Sequence, residues 1–111
     1  MEDMMNDKYK VLTDRDNMRD GDVERKALFH VLAGNSDLYN HVDDIYNFED
    51  HTIKLTCLNK AWLTSSTRGL IKLAFNLFNN SQKNTTYDSF VYLDYKNTVL
   101  ALEAIKIRFV R

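Results

Sequence analysis

Residues 65 to 79, Ser-Ser-Thr-Arg-Gly-Leu-Ile-Lys-Leu-Ala-Phe-Asn-Leu-Phe-Asn, carry the clearest periodicity in the chain. Leu70, Ile71, Leu73, Ala74, Leu77 and Phe78 recur at helical spacing, and Ser65 and Ser66 ahead of them suit a cap. The pattern predicts a core helix. A second amphipathic run spans residues 23–33, where Val23, Ala27, Leu28, Val31 and Leu32 share one face, Asp22 is placed to cap the first turn, and Gly34-Asn35 supplies a stop. Ser36 then suits the start of a short helix over residues 37–46, with Leu38, Val42 and Ile45 as its buried stripe and Asp37 in the first turn, where the helix dipole favours an anion.

The two ends of the chain read differently. Residues 3–15 are polar apart from Met4, Tyr9, Val11 and Leu12, which predicts a peripheral helix lying over the core within an N-terminal segment of residues 1–15. Residues 95–109, capped by Asp94, are apolar nearly all round: Val99, Leu100, Leu102, Ile105, Ile107 and Phe109 fall on several sides, against one narrow sector of Lys96, Glu103 and Lys106. Such a helix is either central or faces another protein. Between these helices, residues 16–22 read as a loop marked by Gly21, residues 79–86 as a mobile polar loop, and residues 87–93 as a short aromatic-rich turn or helix. Residues 47–64 have the weakest periodicity. Thr52 to Leu58 alternate briefly, but a strand needs a partner and no second convincing strand is visible, so the segment is expected to be an irregular crossover.

Proline is absent from the chain and glycine occurs only three times, so helices run between polar turns without the usual breakers. The expected fold is a single all-α domain of about five helices over residues 1–111, with residues 66–78 and 95–109 supplying the core. At 44% hydrophobic and 28% charged, the composition is that of an ordinary globular protein rather than a disordered one. A chain of 111 residues buries about two thirds of the surface of its unfolded form, enough to fold without staples.

Charge narrows the function classes. Fifteen basic against sixteen acidic residues give a net charge of −1, without the basic excess of a general phosphate-backbone binder, so nucleic acid is not expected as a partner. A cluster of Lys26, Arg68, Lys72, Lys106 and Arg108 on one face would revive that reading. No segment approaches the roughly 20 apolar residues of a membrane span, and the first residues lack the basic-then-apolar pattern of an export signal. With Cys57 as the only cysteine, this points to a cytoplasmic protein without membrane association.

Candidate chemistry is sparse. Asp14, Asp16, Asp20, Asp22 and Glu24 crowd the first loop and invite a calcium reading, since hard cations collect several carboxylates from one loop. The register fails, because a loop begun at Asp16 puts Met18 at position three and Ala27 at position twelve. These carboxylates are better read as solvated side chains and an N-cap, balanced by Arg15, Arg19 and Arg25. His30, His41 and His51 are too far apart in sequence for a paired-ligand motif. Cys57 beside His41 or His51 would make an activated thiolate, whereas a lone apolar-flanked cysteine is more often a core residue. Ser65 and Ser66 lack a nucleophile elbow, and there is no phosphate-cradling glycine loop. No residue is therefore assigned as catalytic, cofactor-binding or metal-ligating, and no cofactor is expected. The aromatics Tyr39, Tyr46, Phe48, Trp62, Tyr87, Phe90, Tyr92 and Tyr95 either lid a small core or anchor a partner.

A resemblance adds to this reading. Gly21-Asp22-Val23-Glu24-Arg25-Lys26-Ala27-Leu28-Phe29 and Ala33-Gly34-Asn35-Ser36-Asp37-Leu38-Tyr39 resemble a family of small uncharacterised proteins, a domain of unknown function, from Gram-positive bacteria and their phages. Ile45-Tyr46-Asn47-Phe48-Glu49, Leu70-Ile71-Lys72-Leu73-Ala74-Phe75-Asn76-Leu77 and Ala101-Leu102-Glu103-Ala104-Ile105-Lys106-Ile107-Arg108-Phe109 extend the likeness over residues 12–109. The resemblance implies a bacterial or phage origin and transfers no activity. Residues 50–64 follow it least, so Cys57 and Trp62 inherit nothing from it.

Two functional classes follow. The preferred one is a non-enzymatic protein-binding or accessory module, either engaging a protein partner or self-associating as a homodimer. The rival is a small enzyme or ligand-binding protein with a site assembled from His41, His51, Cys57 and nearby acids.

Overall fold

A computed structural model describes residues 2–110, with side chains from Met5 onward. Its described residues form seven α-helices: α1 (Glu2–Asp16), α2 (Val23–Gly34), α3 (Ser36–Asn40), α4 (Val42–Ile45), α5 (Ser65–Asn79), α6 (Thr86–Phe90) and α7 (Tyr95–Phe109). Between α4 and α5 lie a two-stranded antiparallel hairpin, β1 (Tyr46–Asn47) and β2 (Thr52–Ile53), and a 3-10 turn at Leu55–Asn59. The all-α expectation for a single domain holds.

The helix boundaries follow from caps. Asp22 accepts the Arg25 backbone N–H and starts α2, and Asp94 accepts that of Asn97 and starts α7. α3 is capped by Asn35, which accepts from the Leu38 backbone N–H, in place of Ser36. At α5 the cap is Thr64 rather than a serine. Thr64 accepts from the Thr67 backbone and Thr67 accepts from the Thr64 backbone, a reciprocal capping box. The helix expected over 37–46 is two short ones, broken at His41, where the backbone leaves the helical region. The crossover is more ordered than its periodicity implied. The strand-like stretch at Thr52 does find a partner, with Tyr46 opposite Ile53 and Asn47 opposite Thr52.

The centre of the domain is α2, and here the expectation needs correcting. Ala27, Leu28, Phe29, Val31, Leu32 and Ala33 are buried, and α2 packs on α1, α3, α5 and α7. α5 contributes the second core face, with Leu70, Ile71, Leu73, Ala74, Phe75 and Leu77 buried. α7, expected either to be central or to face another protein, buries only Leu100, Ala101 and Ala104 and leaves Leu102 and Phe109 exposed. The physical reason is the small side chains: Ala101 and Ala104 let α7 lie close to α2, and a Cβ on Gly34 would stand 2.2 Å from Leu100 Cδ1. One narrow stripe is therefore enough to seat the helix.

The aromatics divide in two. Tyr46, fully buried, packs edge-on to Phe29, Phe48 and Phe78 at centroid distances of 5.2, 4.9 and 6.4 Å. Trp62 stacks on His41 at 4.0 Å. Tyr87, Tyr92 and Tyr95 face outward.

α6 docks on α5 through Gly69, where a Cβ would sit 3.0 Å from the backbone oxygen of Ser89. Gly69→Val overfills that approach against unyielding backbone and is expected to destabilise the protein by about 1–3 kcal/mol, measured by urea denaturation.

Candidate functional site

The polar centre of the molecule is Asp16, whose side chain is fully buried although it ends a helix in a charged loop. Leu12, one turn earlier, is also fully buried, so Asp16 continues the inward stripe of α1. Three side chains from other segments converge on the carboxylate. Arg25 Nη1 of α2 donates to Oδ2 at 3.0 Å, the Tyr46 hydroxyl donates to Oδ1 at 3.0 Å, and His51 Nδ1 stands 2.7 Å from Oδ1. A carboxylate only accepts, so His51 carries its proton on Nδ1 and turns Nε2, the other edge of its ring, away from Asp16. Arg25 also binds Asp22 through Nε at 3.2 Å, and Asp22 in turn caps α2. The reading of these aspartates as solvated is thus wrong for Asp16 and right in its N-cap part for Asp22.

The backbone around this cluster is unusual. Asn17, His51 and Gly21 all have positive φ, at 51°, 59° and 88°, and among the described residues only Asn80 joins them. For Gly21 this costs nothing, whereas a histidine at φ 59° is held by its surroundings. The turn between β1 and β2 supplies them: Asn47 Oδ1 accepts from the backbone N–H groups of Glu49 and Asp50, folding the chain so that His51 points at Asp16. Beside the cluster opens a cavity of about 440 Å3 lined by Asn17, Arg19, Asp22, Arg25 and His51.

The other proposed reagents do not join it. His41 Nδ1 donates to the Asp37 carbonyl at 2.9 Å while its ring stacks on Trp62, whose Nε1 donates to Asp44 at 3.0 Å. Cys57 is fully buried. Burial, reinforced by the negative charge of Asp44, pushes its thiol up to about 11, the opposite of an activated thiolate. Among the described residues no hydrogen bond joins His41, His51 and Cys57 to one another, and of the three only His51 binds a carboxylate directly. His30 pairs with Glu103 across α2 and α7 at 3.0 Å. Among the described residues, no three of His, Cys, Asp and Glu gather to hold a metal ion.

Sequence reasoning missed Asp16 as a buried acceptor and Tyr46 as its donor. The available signal was spacing: Met5, Tyr9, Leu12 and Asp16 follow one helical stripe, so a carboxylate lies where an apolar residue is due.

With this geometry in place, comparison with known proteins gives a single result. A model of a family of unknown function, DUF6075, matches residues 1–111. The chain belongs to this family. No curated protein and no solved structure matches it. Membership in DUF6075 brings no reaction with it, so the chemistry of this family member rests on its own residues.

Asp16→Ala leaves the Arg25 charge without its inner partner and is expected to cost about 3–5 kcal/mol. Tyr46→Phe, which removes one donor, costs about 1 kcal/mol, both read from urea melts at pH 7. Cys57 is protonated in the folded protein up to about 11, against an ordinary value of 9.0 for the unfolded chain. Between those values the unfolded state has lost a proton that the folded state keeps, so stability falls as pH rises from 9.0 towards 11. Burial and the bond to Asp16 raise Tyr46 as well, which steepens the fall above its ordinary 10.0. Cys57→Ala is expected to flatten the early part of that fall and Tyr46→Phe the later part, measured by denaturant melts across the alkaline range.

Proposed function

We propose that this protein is a non-enzymatic protein-binding or accessory module of bacterial or phage origin that works in the cytoplasm. The observation that carries this reading is where exposed apolar bulk is concentrated. Of nine large hydrophobic side chains exposed among the described residues, seven lie between Tyr87 and Val110. Tyr87, Tyr92 and Tyr95 are 72%, 66% and 86% exposed, and Leu102, Phe109 and Val110 extend the same stretch of chain along α7. Tyrosines with rings in water and no core role are the side chains that anchor protein contacts at low entropic cost.

Two shallow hollows border α6. One, of about 330 Å3, includes Gly69, Lys72, Tyr87, Val91 and Tyr92; the other, of about 200 Å3, includes Leu77, Phe90, Ile105 and Phe109. Asn84 lines both, and its Nδ2 is buried without a hydrogen-bond partner. Arg68 and Lys72 share the first hollow, but Arg108 is engaged elsewhere, donating to the Leu77 carbonyl at 2.8 Å and lying 3.7 Å from Glu24. The basic face required for nucleic acid therefore gains little support. No helix among the described residues is long and apolar enough to cross a membrane.

A second reading is favoured by one specific observation, the cavity beside the Asp16–His51 pair, which gives a small-ligand site a place to form.

The test combines solution mass with capture of the tagged full chain from bacterial lysate. A stoichiometric protein partner, or a homodimer by mass, is expected. Tyr92→Ser with Phe109→Ser is expected to lose it while leaving the melting temperature within about 2–4 °C, since neither side chain is in the core. A monomer that retains no stoichiometric protein overturns the reading.

A further inference from the structure

We propose that the cavity lined by Asn17, Arg19, Asp22, Arg25 and His51 binds a phosphoryl group. This deepens the small-ligand reading and is independent of protein binding at α6 and α7. The acids around the cavity are already matched. The Asp16 carboxylate accepts from Tyr46, Arg25 and His51. Both Asp22 oxygens are occupied as well, Oδ1 by the Arg25 backbone N–H and Oδ2 by Arg25 Nε. Asp22, the acid that lines the cavity, and Asp16, buried beside it, are thus both bound to protein donors.

The donors are in surplus. Arg19 lines the cavity, and its side chain makes no ion pair or hydrogen bond among the described residues, so its full guanidinium fork is available. Arg25 Nη2 remains beyond the two nitrogens used for Asp16 and Asp22. His51 is fixed by Asp16 at Nδ1, so Nε2 is the ring edge left for a ligand. With the proton on Nδ1, Nε2 accepts from a protonated phosphoryl oxygen. The Asn17 carboxamide adds a neutral donor, and the cavity lies at the N-terminal end of the twelve-residue α2, where the helix dipole is positive.

These groups come from three segments: the loop after α1, the start of α2 and the hairpin turn. Donors arriving from three sides suit a tetrahedral oxyanion with several terminal oxygens better than a planar carboxylate, and the guanidinium fork matches phosphate geometry. The volume of about 440 Å3 exceeds that of phosphate alone, leaving room for a small ester group. The positive φ of Asn17 and His51 gives both residues the orientation the site requires, before any ligand arrives.

The experiment uses the 15N-labelled full chain, titrated separately with inorganic phosphate and phenyl phosphate at fixed ionic strength. Amide shifts that saturate and centre on residues 17–25 and 50–52 are expected. Arg19→Ala and His51→Asn are each expected to weaken binding about tenfold or more, the loss of one charge-assisted or fixed hydrogen bond. Asn is the replacement at position 51 because it tolerates positive φ, and Arg19, being exposed, gives a variant expected to fold even where the His51 variant does not. Tighter binding of phenyl phosphate identifies an ester as the ligand, and equal binding identifies free phosphate. Absence of saturable local shifts with both probes overturns the proposal, as does binding that Arg19→Ala leaves unchanged. Tyr92→Ser with Phe109→Ser is expected to leave phosphate binding intact, so failure here and failure of the protein-binding reading are told apart.

Discussion

A carboxylate with no access to water, placed at the negative end of a helix, is the constraint around which this fold is arranged. Asp16 is the last residue of α1, where the dipole disfavours an anion, and burial raises the cost further. It is tolerable only because Arg25, Tyr46 and His51 all reach it. Those contacts fix the α1–α2 turn, since Arg25 must present one face to Asp16 and another to Asp22. They fix the hairpin as well, since a two-residue strand pair has little stability of its own. Tyr46 then carries the constraint into the core, where its ring packs against Phe29, Phe48 and Phe78. Polar and apolar halves of one side chain thereby join the site to the hydrophobic centre. Buried ion pairs often add little net stability compared with apolar substitutes. Retaining one here, with a histidine held at positive φ, is better explained by what the pair positions than by what it stabilises.

What the sequence made legible is the part of the fold that depends on local rules. The periodicity of α5, the Asp22 and Asp94 caps and the Gly34-Asn35 stop each rest on neighbours within a few residues, and each is in the structure where the pattern put it. The errors share a different cause. α7 looked central because its apolar residues surround the axis, but burial depends on what lies opposite, and Ala101 and Ala104 invite close approach on one side only. β1 was invisible because two residues make no pattern, and its partner strand is defined by pairing rather than by composition. Asp16 was misread because an aspartate amid other acids looks solvated; its burial follows from Arg25, Tyr46 and His51, which lie 9, 30 and 35 residues away. The candidate site was therefore mostly hidden. Asp22 was legible as an N-cap and Arg25 as a cation balancing the acids, whereas His51 was grouped with His41 and Cys57, whose partners are Trp62 and the core.

The two proposed surfaces are held by the same helix. α2 brings Arg25 to Asp16 at its N-terminal end and packs along α7 with its buried face. Between them, Glu24 lies 3.7 Å from Arg108, whose Nε also binds the Leu77 carbonyl near the end of α5. A cation on a free helical carbonyl satisfies an orphan acceptor and opposes the negative end of the dipole. It also fixes the end of α7, so that Phe109 and Val110 are presented from a braced helix rather than a fraying one. A preordered apolar surface loses less entropy on docking than a mobile one. On that argument the exposed side of α7 follows from how the helix is held: its small residues seat it against α2, Arg108 anchors its end, and the large side chains off that narrow stripe remain outside.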